Sequence, residues 1–267
     1  MTVKHRNNVQ VSGTGTATMF FAHGFGCDQN MWRRLQPGYA ERYRTVAFDL
    51  VGSGSSDMSA YVAEKYSSLH GYADDLLEIV DEFGQGPVIF VGHSVSSMIG
   101  LLADLKAPNT FAAQIMVAPS PCYVNDAGYH GGFERADIDS LLETLESNYL
   151  GWSSDMAPAI MGAPGQPALT KEITNSFCRT DPVIAKQFAR VTFLSDHRLD
   201  LPKLSTPTLI LQSTDDIIAP VAVGEYMCKA LPKAELKIIA SVGHCPHLSE
   251  PGLCADAISE FLVKRGL

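Results

Sequence analysis

The chain has no Cys-x-x-Cys pair, no long apolar run and no cluster of basic residues, and each absence removes a class of function. Its six cysteines (Cys27, Cys122, Cys178, Cys228, Cys245 and Cys254) are spread through 267 residues, which speaks against a disulfide framework and against a zinc site. Most are expected to be buried thiols. The opening residues Met1-Thr-Val-Lys-His-Arg-Asn-Asn-Val9 hold no apolar signal core, and no stretch reaches the roughly 20 apolar residues of a membrane-crossing helix. A cytoplasmic chain with no membrane partner is the expectation. Lys and Arg number 20 against 29 Asp and Glu, for a net charge of −9, and the cations are scattered, so no nucleic acid partner is expected. No metal or nucleotide motif occurs, and no cofactor is expected.

What is present is a large apolar fraction, 46% of residues, enough for one α/β domain with a deep core. Short apolar runs flanked by Gly, Pro or Asp read as buried parallel strands: Thr18–Ala22, Thr45–Phe48, Val88–Val91, Gln114–Val117, Thr208–Leu211 and, less regular, Leu236–Ala240. Between them Leu76, Leu77, Ile79, Val80 and Phe83 keep helical spacing, as do Cys254, Ala257, Ile258, Phe261 and Leu262. This alternation implies a mostly parallel sheet flanked by helices, with the loops at the strands' carboxyl ends gathered on one edge. It breaks between about Asn125 and Asp196. There Ile138, Leu141, Leu142, Leu145 and Tyr149 keep helical spacing, the joint Met161-Gly-Ala-Pro-Gly-Gln-Pro167 follows, and Asp181-Pro182 opens a further helix. The chain is therefore divided into a core of residues 1–124 and 196–267 and a helical cap of residues 125–195.

Ser94 lies in Gly92-His93-Ser94-Val95-Ser96, after an apolar strand and before the helix-like Ser97-Met-Ile-Gly-Leu-Leu-Ala-Asp104. A serine on such a strand-to-helix turn is held in a strained conformation that lifts its Oγ above the sheet and aims the next N–H at a substrate oxygen. Ser96 stands where the motif G-x-S-x-G carries glycine, and is small enough to be tolerated. A nucleophilic serine needs a base and an orienting carboxylate. Asp215 and Asp216 follow the strand ending at Leu211, and His244 and His247 follow the next. Cys245 beside His244 raises a Cys-His pair, but neighbouring loop residues point apart. His93 is too near Ser94 in sequence to be its base and is expected to pack or to hydrogen-bond.

The order Ser, Asp, His resembles that of the α/β-hydrolase fold. In that pattern a proline stands four residues after the acid, which selects Asp216 with Pro220, and a Gly-His pair marks the base, which selects His244. Asp215 is then a turn or capping residue, and His247 an exposed residue or the cap of the following helix. His23-Gly24-Phe25-Gly26 resembles the oxyanion loop of these enzymes, so the resemblance implies oxyanion donors at the Phe25 and Val95 N–H groups. Gly52-Ser-Gly54 lacks a Walker lysine and reads as a tight turn near the active-site edge.

His23-Gly-Phe-Gly-Cys-Asp-Gln29, Gly92-His-Ser-Val-Ser-Ser-Met-Ile-Gly100, Ser120-Pro-Cys-Tyr-Val-Asn-Asp126, Gly131-Gly-Phe-Glu134, Asn148-Tyr-Leu-Gly-Trp152 and Phe193-Leu-Ser-Asp196 narrow the likeness. They resemble the RsbQ-like bacterial stress regulators and the plant strigolactone and karrikin receptors, over nearly the whole chain. Cys178–Phe188 and Gly243–His247 are nearer the bacterial group, and Ser96 is the residue of the plant group. The resemblance implies a V-shaped cap of four helices over an apolar pocket with Ser94 at its floor. It also implies pocket positions at Phe25, Tyr123, Phe133, Trp152, Met156, Phe177, Phe193 and Ile218, for a small hydrophobic ester or lactone of butenolide type. Two functions are consistent with it: a serine hydrolase forming an acyl-enzyme, and a ligand sensor with slow or single turnover that docks a signalling protein on its cap. A cofactor-free haloperoxidase or lyase on the same fold is a third.

Overall fold

The protein is described from a computed structural model over residues 1–163 and 165–267; Pro164, in the joint expected within the cap, lies outside the described residues. Among these residues strands β1 (Gln10–Ser12), β2 (Thr18–Ala22), β3 (Arg44–Phe48), β4 (Val88–His93), β5 (Ala113–Val117), β6 (Thr208–Asp215) and β7 (Ala234–Val242) form one sheet. Their order is β1-β3-β2-β4-β5-β6-β7, with β1 antiparallel to β3 and every other pair parallel. The six expected strands are β2 to β7. Strand β1 has no counterpart among the sequence expectations, because three mostly exposed residues at a sheet edge leave no apolar run to read.

The helices are α1 (Val3–Arg6), α2 (Leu69–Phe83), α3 (Val95–Lys106), α4 (Arg135–Ser147), α5 (Tyr149–Met161), α6 (Pro167–Arg179), α7 (Pro182–Phe193), α8 (Val221–Ala230), α9 (Pro246–Ser249) and α10 (Pro251–Val263). None among the described residues is long and apolar enough to cross a membrane. Strand side chains alternate between two cores, as the pleat requires. Phe20, Ala22, Val46, Phe48 and Phe90 pack with α2, α3 and α8, whereas Met19, Phe21, Ala47, Ile89 and Val91 pack with Trp32, Tyr39 and α10. Burial on both faces is why these strands read as unbroken apolar runs.

Helices α4 to α7 fall within the segment expected to be the cap. Helix α4 packs against α5 and α7, and α5 against α6. The helical spacing that runs from Ile138 to Tyr149 spans two helices: the chain bends at Asn148, whose side chain then accepts the Gly151 N–H at 3.0 Å and starts α5. Asp181 caps α7 by accepting from Val183 N at 2.8 Å and Ile184 N at 3.2 Å. A third apolar cluster, holding Trp152, Ile160, Phe177 and Phe193 with Cys27 and Tyr123, joins these helices to the sheet edge.

The strand order reverses between β2 and β4, and such a switch point opens a crevice at the carboxyl ends of the strands. Ser94 follows β4, and the loop of His23 to Gly26 follows β2, so both border that crevice.

Candidate active site

Ser94 has φ 55° and ψ −122°, a conformation that costs a non-glycine residue of order 1–3 kcal/mol and that the surroundings must enforce. Its N–H is held by Val117 O at 2.8 Å. Gly92 is needed because a Cβ there would lie 2.7 Å from the Ser96 carbonyl oxygen. Ser96 is fully buried and donates its hydroxyl to His23 O at 2.5 Å. The residue that departs from the glycine motif thus ties the nucleophile turn to the loop after β2.

From Ser94 a hydrogen-bonded chain runs inward. Ser94 Oγ lies 2.8 Å from His244 Nε2, and His244 Nδ1 lies 2.7 Å from Asp216 Oδ2. The other carboxylate oxygen of Asp216 accepts from Ile218 N at 2.8 Å and Ala219 N at 3.2 Å. A carboxylate can only accept, so Nδ1 carries the imidazole proton and Nε2 is free to receive the serine hydrogen. All three side chains are buried. Asp215 ends β6 with its side chain exposed; it caps no helix, and its carbonyl accepts the Gly243 N–H at 2.7 Å.

The loop after β2 is set by His23, whose Nε2 accepts from Leu50 N at 3.0 Å and whose Nδ1 therefore donates to Gly24 O at 2.8 Å. Gly24 passes so near the nucleophile that a Cβ would sit 3.2 Å from Ser94 Cβ. That approach brings the Phe25 backbone beside Ser94. Val95 is the first residue of α3, so its N–H has no carbonyl of its own helix to bond. Gly52 and Gly54 have φ +90° and +56° and form the turn expected of them, with Gly52 under Ile184 of α7.

Phe25, Tyr123, Phe177, Phe193 and Ile218 line the cavity over Ser94. Trp152, Met156 and Phe133, expected on its wall, belong to the surrounding apolar cluster one layer back, where Trp152 stacks on Phe177 with centroids 5.9 Å apart. Ser94, His244 and His93 border its floor, and Cys27, Ile160, Ile173, Thr192 and Cys245 complete the lining. Ile160, Ile173 and Thr192 come from cap helices, Cys27 from the loop after β2 and Cys245 from beside His244, and nothing in their local sequence marks them. The cavity is small, about 30 Å³, room for one or two waters.

The environment sets the titrations. Burial raises the Tyr123 phenol to about 12, with the Ser94 hydroxyl beside it partly opposing the rise, so it remains a hydrogen-bond donor. Burial also pushes the Cys245 thiol well up, which removes the thiolate that a cysteine nucleophile requires. Among the described residues no group of three or more His, Cys, Asp and Glu side chains could hold a metal ion.

His247 is neither exposed nor a helix cap. It is fully buried in α9, with its ring 4.5 Å from both the Trp32 and His93 rings. Burial holds both His93 and His247 below the ordinary imidazole range, His247 at about 3. The folded state therefore binds fewer protons than the unfolded chain once pH drops below 6.5. Stability present above that value is lost as pH falls, by up to about 1.4 kcal/mol per pH unit for each imidazole. Thermal melts between pH 7 and pH 4 are expected to show a falling Tm, with a shallower fall in His247→Phe. Equal slopes in the two proteins would contradict this.

Residues 19–257 match the model of the alpha/beta hydrolase family. The chain is 39% identical over 264 residues to the karrikin insensitive 2 receptor CA of Petunia hybrida, covering 98% of this chain and 96% of that one. It is 37% identical over 258 residues to a strigolactone esterase of Arabidopsis thaliana, covering 96% of each. A solved hydrolase structure from Oleispira antarctica matches with a TM-score of 0.93 at 42% identity, over 98% of this chain and 96% of that one.

Proposed function

The chain belongs to the alpha/beta hydrolase family, in the branch of the strigolactone and karrikin receptors, and from that membership we propose that it hydrolyses a small hydrophobic ester or lactone at Ser94. The observation that carries this reading is the buried chain Ser94–His244–Asp216 at the floor of an apolar cavity. His244 Nε2 takes the proton of Ser94 Oγ as the oxygen attacks the carbonyl carbon, and Asp216 stabilises the imidazolium. The Phe25 and Val95 N–H groups receive the oxyanion. His244 then gives its proton to the leaving oxygen, leaving an acyl-enzyme, and later activates the water that cleaves it. For a lactone the leaving oxygen stays tethered to the acyl group throughout, and deacylation by water releases a single hydroxy acid.

A second reading is favoured by the size of the cavity. About 30 Å³ does not admit a butenolide, so such a ligand enters only by displacing cap side chains or cap helices. Helix α6 is clasped to the core by Ser176 Oγ on Gly26 O at 2.9 Å, Arg179 on Asp28 at 3.2 Å and Arg33 on Glu172 at 2.5 Å. A ligand that breaks this clasp changes the outer face of the cap, as a sensor that docks a signalling protein there requires. Mixing the protein with a synthetic butenolide of strigolactone type, while following product and intact mass, separates the readings. Many turnovers with no lasting adduct support the metabolic hydrolase. About one turnover with a persistent adduct on Ser94 or His244 supports the sensor, and neither product nor adduct counts against butenolides as the substrate class.

A further inference from the structure

We propose that His93 is a positioning residue that locks the general base to the turn carrying the nucleophile. His93 and Ser94 are neighbours in the chain, and both bond the same partner: Ser94 Oγ meets His244 Nε2 at 2.8 Å, and His93 Nε2 donates to the His244 carbonyl oxygen at 2.9 Å. His244 is thus held by its ring at one end and its backbone at the other from one rigid turn. The alternative hold on that backbone comes from the cap, since the His244 N–H donates to Ile160 O of α5 at 2.8 Å. Gly243 lies so tightly on α5 that a Cβ would stand 2.0 Å from Met161 O. A cap that must move to admit ligand would draw the base with it. The His93 bond ties the base to the sheet instead.

The other edge of the same ring spaces the loop after β2, for a Cβ at Gly24 would lie 2.6 Å from His93 Nδ1. Behind it the His247 ring, itself backed by Trp32, fills the space into which His93 would otherwise rotate. Donation to the carbonyl requires the proton on Nε2 and leaves Nδ1 as a lone pair with no partner among the described residues. One buried imidazole therefore touches the base, the nucleophile turn and the oxyanion loop together. Its ring packs 5.1 Å from the His244 ring and borders the cavity, but its nitrogens bond neither the Ser94 hydroxyl nor the His244 imidazole, so its effect passes through the placement of His244.

Misplacement of about 1 Å can cost on the order of 100-fold in rate. His93→Phe keeps a ring but removes the donor, and is expected to lower kcat for p-nitrophenyl acetate about 10- to 100-fold with KM changed less than about threefold. His93→Gln retains an N–H of comparable reach and is expected to recover at least about fivefold of that loss. Where the phenylalanine variant does not fold, His93→Asn, too short to reach the carbonyl, is expected to show the same loss of kcat at unchanged KM. A kcat within about threefold of wild type in the Phe or Asn variant, or a Gln variant as slow as the Phe variant, would overturn the proposal. The inference rests on hydrolysis at Ser94, and Ser94→Ala is the control that separates the two: full turnover in that variant sinks the hydrolytic reading, whereas an inactive Ser94→Ala beside a fully active His93→Phe sinks the positioning role alone.

Discussion

Ser94→Ala is expected to lower kcat for p-nitrophenyl acetate by about 10⁵-fold or more, to the floor set by contaminating esterase. At about 1.4 kcal/mol per factor of ten this is roughly 7 kcal/mol of transition-state stabilisation, the scale seen when one member of a cooperating triad is removed. The loss is specific to chemistry, because alanine leaves the turn as it stands. The Ser94 N–H keeps its bond to Val117, the Ser96 hydroxyl keeps its bond to His23, and the apolar cavity keeps its lining. Ligand binding therefore survives. A Tm equal to or above that of the wild type is expected alongside the lost turnover, since the serine is a functional group and its removal breaks no packing.

Asp216→Asn is expected to reduce kcat by about 10⁴-fold without loss of fold. The size of the effect follows from how the carboxylate is used. One of its oxygens accepts two backbone N–H groups, from Ile218 and Ala219, while the other accepts His244 Nδ1. An asparagine must present its carbonyl oxygen to the two backbone donors and its NH₂ to His244. That arrangement turns Nδ1 into an acceptor and moves the imidazole proton to Nε2, where it faces Ser94 and blocks proton removal. Asp215→Asn is the matched control. Its side chain points to solvent, and its backbone carbonyl, which holds Gly243, is unchanged, so kcat within about twofold of wild type is expected. A comparable loss in both variants would mean that the neighbouring carboxylate shares the role.

The catalytic order was legible because it depends on local punctuation. Strands buried on both faces leave unbroken apolar runs, and the residues that end them fall in the loops at the crevice, so Ser94, an acid at Asp215 or Asp216 and a base at His244 or His247 could be read from position and pattern. The choice of Asp216 and His244 came from the resemblance, and the structure brings those two into one hydrogen-bonded chain with Ser94. His247 was not legible. A histidine between Pro246 and Leu248 carries no mark of the Trp32 and His93 rings that enclose it, since both come from distant parts of the chain. The depth of the pocket was hidden for the same reason: whether Phe177 or Trp152 meets the cavity depends on the rotation of α5 against α6, which helical periodicity leaves open to within a residue or two. Ser96 shows the converse. Against the motif alone it reads as a tolerated substitution, and only its bond to His23 reveals it as a link between the two loops of the site.

The most direct test of the account is the mass of the protein quenched during turnover of p-nitrophenyl acetate, followed by peptide mapping of the adduct. An acetyl group on the peptide bearing Ser94, formed and lost as substrate is consumed and absent from Ser94→Ala, is the expected result. Acetylation of Cys245 in place of Ser94, or undiminished turnover by Ser94→Ala after contaminating esterase is removed, would contradict it.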